Sequence, residues 1–131
     1  MEFLPNEIEN VIKDYIIFKP ITKDELKEAV DLWCDDKEEA LSRYGNISIW
    51  DTSLITDMSE LFNEAVDFND NINNWNVSNV TDMVHMFSEA SSFNQPLDSW
   101  DVSSVTDMGE MFNSPYSSSF DENNAPWYNF N

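Results

Sequence analysis

The stretch that decides the fold is residues 75–83, Trp75-Asn76-Val77-Ser78-Asn79-Val80-Thr81-Asp82-Met83. Closely similar stretches begin at Trp50 and Trp100, and the segments that follow these three tryptophans align without a gap at a period of 25 residues. Self-similarity at a fixed period indicates a repeat architecture, in which each unit buries its apolar residues against the next one. The sequence therefore predicts three tandem repeats, which begin at Trp50, Trp75 and Trp100.

Each repeat contains two kinds of apolar spacing. In the second repeat, apolar residues lie at helical spacing from Met83 to Ala90, and Thr81 is placed to cap a short helix. Trp100 and Val102 then show the two-residue period of a strand. A helix and a short strand in 25 residues fit the length of leucine-rich-type repeats. The predicted fold class is α/β: a short, leucine-rich-repeat-like solenoid of three coils with a helical N-terminal cap.

The segments on either side of the repeats predict caps. Two capping boxes precede apolar residues at helical spacing, Thr22-x-x-Glu25 and Asp36-x-x-Glu39. Gly45 is a typical residue for the end of the second of these helices. The domain prediction is a helical N-terminal cap at residues 1–49, a three-repeat solenoid core at 50–112, and a degenerate closing coil with a C-terminal cap at 113–131.

The charge of the chain limits its partners. The chain has 26 acidic residues against 6 Lys and Arg, so its formal net charge is -20, and the stretch from Tyr44 to Asn131 contains no Lys or Arg. Nucleic acids and anionic membranes are excluded as partners, because each phosphate contact requires a cation. We expect a monomer that binds an unidentified protein through a basic or polar surface of that partner.

Acidic residues recur at fixed positions of the repeats and form the candidate protein-binding site, Asp57, Asp82, Asp107, Asp51, Asp101, Glu60 and Glu110. Carboxylates stacked on successive repeats could also invite a bridging cation such as Ca²⁺. However, two carboxylates ~5 Å apart in water repel by only about 0.8 kcal/mol, and placement at a helix start returns about 0.3 to 1 kcal/mol. We therefore predict neither a metal nor a cofactor.

The sequence gives little support for catalysis. His85 is the only histidine, and its counterparts in the neighbouring repeats are Glu60 and Glu110, which is typical of a solvated face. Cys34 is the only cysteine, and its acidic neighbours should raise the pKa of the thiol and weaken it as a nucleophile. We predict a protein without enzymatic activity.

The start of the chain bears on its location. The first residues lack the basic and apolar regions of a signal peptide, and no stretch approaches the length of a membrane span. We expect no signal peptide and a cytoplasmic location.

The repeats resemble a known family. The residues that carry the resemblance are those of the opening stretch, 75–83, together with Phe93-Asn94-Gln95-Pro96-Leu97-Asp98-Ser99-Trp100-Asp101-Val102-Ser103-Ser104-Val105-Thr106-Asp107-Met108. They are similar to the repeat of the BspA-like leucine-rich-repeat surface proteins. The segment from Ile21 to Trp50 is similar to a leader that precedes such repeats in proteins of large DNA viruses of algae and protists. The resemblance implies a repeat solenoid used for protein binding.

A shorter resemblance begins the chain. The segment Leu4-Pro5-x-Glu7-Ile8-x-x-x-Ile12 is similar to the opening helix of an F-box, which recruits a ubiquitin-ligase scaffold. The residues of this possible docking helix are Leu4, Pro5, Ile8 and Ile12. An amphipathic helix with a proline at its start is more simply interpreted as a cap on the first repeat.

Three functions remain open at this point. The leading hypothesis is a protein-protein interaction module, viral and intracellular, that presents an acidic surface. A virion structural or cement protein is the first alternative, since a compact capped array without catalytic groups could serve as a packing piece. An F-box-type ubiquitin-ligase adaptor is the second.

Overall fold

A computed structural model describes residues 16–113 and 120–130. Helix α1 spans Lys23–Asp35 and helix α2 spans Lys37–Tyr44. Two short 3₁₀ helices span Ile47–Ile49 and Glu122–Asn124. The described residues otherwise form turns and irregular segments, and the division into domains at residues 1–49, 50–112 and 113–131 stays a prediction.

The ends of both α-helices follow the predicted capping signals. The side chain of Thr22 accepts a hydrogen bond from the amide of Glu25 at 3.2 Å, and Asp36 accepts one from the amide of Glu39 at 3.2 Å. Gly45 ends α2 with a φ of 74°, a left-handed conformation that glycine adopts without steric cost. These three predictions are confirmed. The first helix of the predicted cap, with Leu4, Pro5, Ile8 and Ile12, lies outside the described residues.

Helix α1 packs its apolar face against the first repeat. Leu26, Ala29, Val30 and Trp33 are buried, as their spacing predicts. The ring of Trp33 meets the ring of Trp50 edge to face, with centroids 6.0 Å apart. The helical segment and the repeats therefore share one hydrophobic core.

The predicted α/β solenoid class is wrong. Within the described parts of the repeat region, residues 50–113 and 120–130, there is no α-helix and no strand. The regular pairing consists of two isolated parallel bridges, Asp57 with Asp82 and Asp82 with Asp107. Neither the helix predicted from Met83 nor the strand predicted at Trp100 forms, and the repeats are built from successive turns.

The backbone hydrogen bonds explain why no helix forms. Alternate amides of the first repeat donate to carbonyls of the second at 2.8 to 2.9 Å, from Met58, Glu60, Phe62 and Glu64 to Asp82, Val84, Met86 and Ser88. The amides between them close local turns, such as Leu61 to Met58 at 3.3 Å. A helix would need every amide to bond to the carbonyl four residues earlier. Because every second amide is used between repeats, the segment cannot be helical.

Left-handed residues allow this alternation. In the described ranges 16–113 and 120–130, five residues other than glycine have φ between 52° and 63°. They occupy equivalent positions of the repeats: Glu60, His85 and Glu110, and Glu64 and Glu89. In the first two repeats, the amide of each left-handed residue bonds to the neighbouring repeat, and the next amide closes a local turn, as that of Met86 does to Met83 at 3.2 Å. Thr81, which the sequence assigned to helix capping, instead donates its hydroxyl to the carbonyl of Thr56 in the preceding repeat at 3.2 Å.

The apolar columns nevertheless pack as columns. Phe87 lies between Phe62 and Phe112, with ring centroids 5.3 and 5.4 Å away. The columns continue into the closing segment, because Phe120 stacks on Phe93 with ring centroids 5.8 Å apart and Trp127 stacks on Trp100 at 6.1 Å. The helical spacing of apolar residues thus identified the buried side chains correctly, although the backbone is not helical.

Candidate functional site

The predicted acidic residues do form a column on the repeat surface. We call Asp57, Asp82 and Asp107 the acidic column, since parallel bridges place each beside the next. In each, one carboxylate oxygen accepts the amide two residues onward, at 2.8 to 2.9 Å, from Ser59, Val84 and Gly109. These aspartates therefore stabilise their own turns, in place of the predicted role at a helix start. The second carboxylate oxygen takes no part in these turns.

A second row of turns is built in the same way. Asp51 and Asp101 accept the amides of Ser53 and Ser103 at 3.0 and 3.1 Å, and Asn76 occupies the equivalent place in the repeat between them. The serine hydrogen bonds hold the pKa of both carboxyl groups below the ordinary aspartate value, because they stabilise the ionised form. Glu60 and Glu110 are exposed at the left-handed positions described above.

The cations in the described residues are all paired with acids. Two pairs lie within the helices, Lys27 with Asp31 at 2.8 Å and Arg43 with Glu39 at 2.7 Å. Three others join the helical segment to the repeats, Lys19 with Asp51 at 3.7 Å, Lys23 with Asp57 at 3.4 Å, and Lys37 with Asp70 at 3.1 Å. Two predicted site residues, Asp51 and Asp57, are thus engaged within the chain.

Asp57 shows how its neighbours favour the charged form. Partial burial works against ionisation, but the hydrogen bonds from Ser59 and the nearby Lys23 outweigh it and lower the pKa of the Asp57 carboxyl below its ordinary value. Lys23 also donates to the hydroxyl of Ser59 at 2.6 Å. Asp82 and Asp107, by contrast, have no Lys or Arg within ion-pairing distance in the part of the chain that the structure describes.

Cys34 and His85 are the two residues that the sequence analysis considered for catalysis. Burial, followed by the charge of Asp31, raises the pKa of the Cys34 thiol to about 11, in the direction that the sequence predicted. His85 lies 3.5 Å from a carboxylate oxygen of Glu110. Among residues 16–113 and 120–130, no group of three or more His, Cys, Asp and Glu side chains is arranged to hold a metal ion.

A cavity that the sequence did not predict lies between α1 and the first repeat. Its volume is about 320 Å³, and its walls include Trp33, Lys37, Phe68 and Asp70. Asp70 accepts the indole N–H of Trp33 at 2.9 Å and the ammonium group of Lys37 at 3.1 Å. The polar groups at this wall therefore satisfy one another and tie the end of α1 and the start of α2 to the first repeat.

Within the described residues, no helix is long and apolar enough to cross a membrane.

The structure and the acidic surface together define a tandem-repeat protein. The chain belongs to the family described as "Mycoplasma protein of unknown function, DUF285", whose model matches residues 35–131. This family is related to the BspA-like repeat proteins. No curated protein and no solved structure matches the chain.

Proposed function

We propose that this chain is a non-enzymatic protein-interaction module whose acidic column binds a basic surface of another protein. The observation that carries the proposal is the distribution of charge along the column. Asp57 pairs with Lys23, whereas Asp82 and Asp107 have no such partner in the described chain, although they lie on successive neighbouring turns. Aligned carboxylates of one sign attract a partner that brings Lys or Arg.

The geometry of the column also suits recognition. Each aspartate is held by the amide hydrogen bond of its own turn, so one carboxylate oxygen is fixed in place. Fixed acceptors lose little conformational entropy when they bind, which favours affinity. The elevated pKa of Cys34 and the contact between His85 and Glu110 support a role without catalysis.

The resemblance to BspA-like repeats of a large-DNA-virus type supports the same function, since that resemblance implies protein binding. A virion structural role and an F-box-type adaptor role stay predictions of the sequence. The possible docking helix that would carry the adaptor role lies outside the described residues.

A charge-matched comparison tests the proposal. The column variant replaces Asp57, Asp82 and Asp107 with Asn, which keeps an oxygen acceptor for each turn and removes three charges. The control variant replaces three exposed acids of α1 and its end with their amides, Asp24→Asn, Glu28→Gln and Asp35→Asn. Both variants have the same net charge, so a difference in their binding shows the effect of where the three charges are removed.

The probe is a synthetic Lys-rich peptide, and its affinity is measured at about 0.1 M and about 1 M salt, where the screening length falls from about 10 Å to about 3 Å. The proposal predicts weaker binding and a shallower salt dependence for the column variant than for the control. Equal losses in the two variants would mean that only the net charge acts and that the column is structural.

A further inference from the structure

The third repeat leaves one face of its apolar core open. In the second repeat, Val80 and Met83 are 0% exposed because the third repeat covers them. Their counterparts Val105 and Met108 are half-buried, as is Val102 beside them. An apolar strip of the same composition is therefore covered at one level of the stack and open to solvent at the next.

The backbone of the third repeat is open at the same place. Amides of the second repeat donate to the third at 2.8 to 3.0 Å, from Met83, His85 and Phe87 to Asp107, Gly109 and Met111. The equivalent amides of the third repeat belong to Met108, Glu110 and Phe112, and the described part of the chain offers them no acceptor. Within these residues, no amide donates to the carbonyl of Thr106, whereas the equivalent carbonyls of Thr56 and Thr81 each accept one. We call these groups, with Val102, Val105 and Met108, the open edge.

At the opposite end of the stack, α1 covers the first repeat and supplies a hydrogen-bond donor to one of its carbonyls. The carbonyl of Leu61 in the first repeat accepts the ammonium group of Lys27 from α1 at 3.3 Å. The equivalent carbonyls of Met86 and Met111 accept backbone amides of Phe62 and Phe87. The side chain of Lys27 thus replaces, at the first repeat, the amide that a preceding repeat would donate. At the third repeat, the described residues provide no acceptor that would replace the carbonyls of a following repeat.

The C-terminal tail covers only one side of the third repeat. Phe130 lies over Phe112 with ring centroids 5.3 Å apart, and Tyr128 meets Phe112 edge to face at 5.0 Å. These rings extend the phenylalanine column by one level. Val102, Val105 and Met108 still keep part of their surface exposed, so the tail does not complete the open edge.

We propose that the open edge binds a segment of another protein, which adds one further level to the stack. The segment runs parallel to residues 106–112, accepts the amides of Met108, Glu110 and Phe112 with alternate carbonyls, and covers Val105 and Met108 with apolar side chains. This is the addition of a strand-like peptide to an exposed backbone edge. The inference rests on the proposed protein-binding function but assigns an adjoining surface, which shares only Asp107 with the acidic column.

Charge defines the chemistry of the bound segment. Asp101, Asp107 and Glu110 are exposed along the third repeat, and the chain from Tyr44 onward supplies no Lys or Arg to offset them. The segment therefore alternates apolar residues with Lys or Arg. A second copy of this chain fits poorly. Helix α1 packs on its first repeat, where Lys27 already occupies the Leu61 carbonyl, and its own open edge would oppose amides with amides and acids with acids.

The experiment uses the full chain and two peptides of about ten residues, one alternating Val with Lys and one alternating Val with Glu. Amide hydrogen exchange is followed by NMR. In the free protein, the amides of Met108, Glu110 and Phe112 should exchange fast, while the amide of Thr106, which bonds to Thr81 at 2.8 Å, should be protected. The Lys peptide should slow exchange of the three open amides by about tenfold or more, and the Glu peptide should not.

Substitutions then locate the binding surface. Val105→Asp should weaken binding of the Lys peptide by about tenfold or more, because it places a charge under the apolar contact. Leu54→Asp, at an exposed position of the first repeat, should leave binding unchanged. Should Val105→Asp fail to fold, Val105→Thr provides the milder test, with exchange of the three amides as its readout.

Three results would overturn the inference. The first is slow exchange of the three amides in the free monomer, which would show that they are already bonded. The second is protection that depends on protein concentration without peptide, which would make a second copy the occupant. The third is a peptide affinity lowered by the column variant but unaffected by Val105→Asp; the protein-binding function would then stand and only the open edge would fall.

Discussion

The ammonium group of Lys27 lies 3.3 Å from the backbone carbonyl oxygen of Leu61 and donates a hydrogen bond to it. In the next two repeats, the equivalent carbonyls of Met86 and Met111 accept amides of the preceding repeat. Helix α1 therefore supplies a hydrogen-bond donor to the first repeat and also covers it with apolar side chains. The helical segment is part of the repeat structure, and Lys27 supplies a donor that an additional repeat would otherwise provide.

Removing this donor should destabilise the fold. Lys27→Met keeps most of the aliphatic packing but leaves the carbonyl of Leu61 without its charged partner, and we expect a loss of about 1 kcal/mol in the free energy of unfolding. Urea unfolding provides the measurement. Asp31→Asn is the control, because it removes only the exposed ion pair with Lys27 and should cost about 0.3 to 0.5 kcal/mol. Equal effects of the two substitutions would mean that water replaces Lys27 at the carbonyl.

Phe87 is the central ring of the phenylalanine column and is 3% exposed. Phe87→Ala opens a cavity between its neighbours Phe62 and Phe112, and should lower the free energy of unfolding by roughly 3 to 5 kcal/mol. Val66→Ala, at a side chain that is 51% exposed, is the control and should change stability little. A loss below about 1 kcal/mol for Phe87→Ala, the size of an ordinary surface effect, would show that the column is not the core.

The sequence predicts which side chains are buried better than it predicts the backbone. Met83 and Ala90 are buried as their spacing requires, because the 25-residue period alone determines which residues meet in neighbouring repeats. The same spacing wrongly predicted a helix. Short turns with every second amide directed to the next repeat also bring these side chains inward. No glycine marks the left-handed positions, so the chain shows no local signal for these turns.

The candidate binding site was also predicted only in part. The period placed Asp57, Asp82 and Asp107 in one column correctly, since equivalent positions of tandem repeats lie side by side. It could not show that Lys23 pairs with Asp57, because the two residues are far apart in sequence and meet only through the packing of α1. The open edge escaped prediction for a related reason: it depends on which amides are used between repeats.

The left-handed conformation at Glu64 provides a test of the turn structure. Its φ is 63°, which costs about 1 kcal/mol or more for a residue with a Cβ atom and little for glycine. Glu64→Gly should therefore be more stable than Glu64→Ala by roughly 0.5 to 1 kcal/mol, the reverse of their order in a helix. Both substitutions remove the same charge. Thermal unfolding of the two variants gives the comparison, and greater stability of the alanine variant would contradict the left-handed turn.

The tryptophans at equivalent positions, Trp75, Trp100 and Trp127, are held by hydrogen bonds to carbonyls 28 to 30 residues earlier in the chain. The indole N–H of Trp75 donates to the carbonyl of Ile47 at 2.7 Å in the buried core, and that of Trp127 donates to Leu97 at 2.8 Å in a half-buried position. Trp75→Phe should cost about 2 to 4 kcal/mol, because it removes apolar volume and a buried hydrogen bond, and leaves the Ile47 carbonyl only the amide of Trp50 at 3.4 Å. Trp127→Phe should cost less, since water can reach its acceptor. Chemical unfolding measures both, and equal costs would argue against a role for burial.

The lowered pKa of Asp57 predicts how stability depends on pH. Ionised Asp57 favours the folded state, so its contribution is fully present above the unfolded aspartate pKa of about 3.9 and is lost as the pH falls through the lower folded value. Asp57→Asn retains an acceptor for Ser59 but cannot titrate. The stability difference between parent and variant should therefore be constant from about pH 7 to about pH 5 and shrink below about pH 4.

Urea unfolding across this pH range measures the difference, and the other carboxyl groups are common to both chains. Repeating the comparison in a Lys23→Met background gives the control, because Lys23 contributes to lowering the pKa of Asp57. The pH-dependent part should become smaller there but keep its sign, since the hydrogen bonds from Ser59 remain. A difference that grows as the pH falls would mean that repulsion from the neighbouring carboxylates outweighs these hydrogen bonds, and that the acidic column is strained rather than stabilised at its first residue.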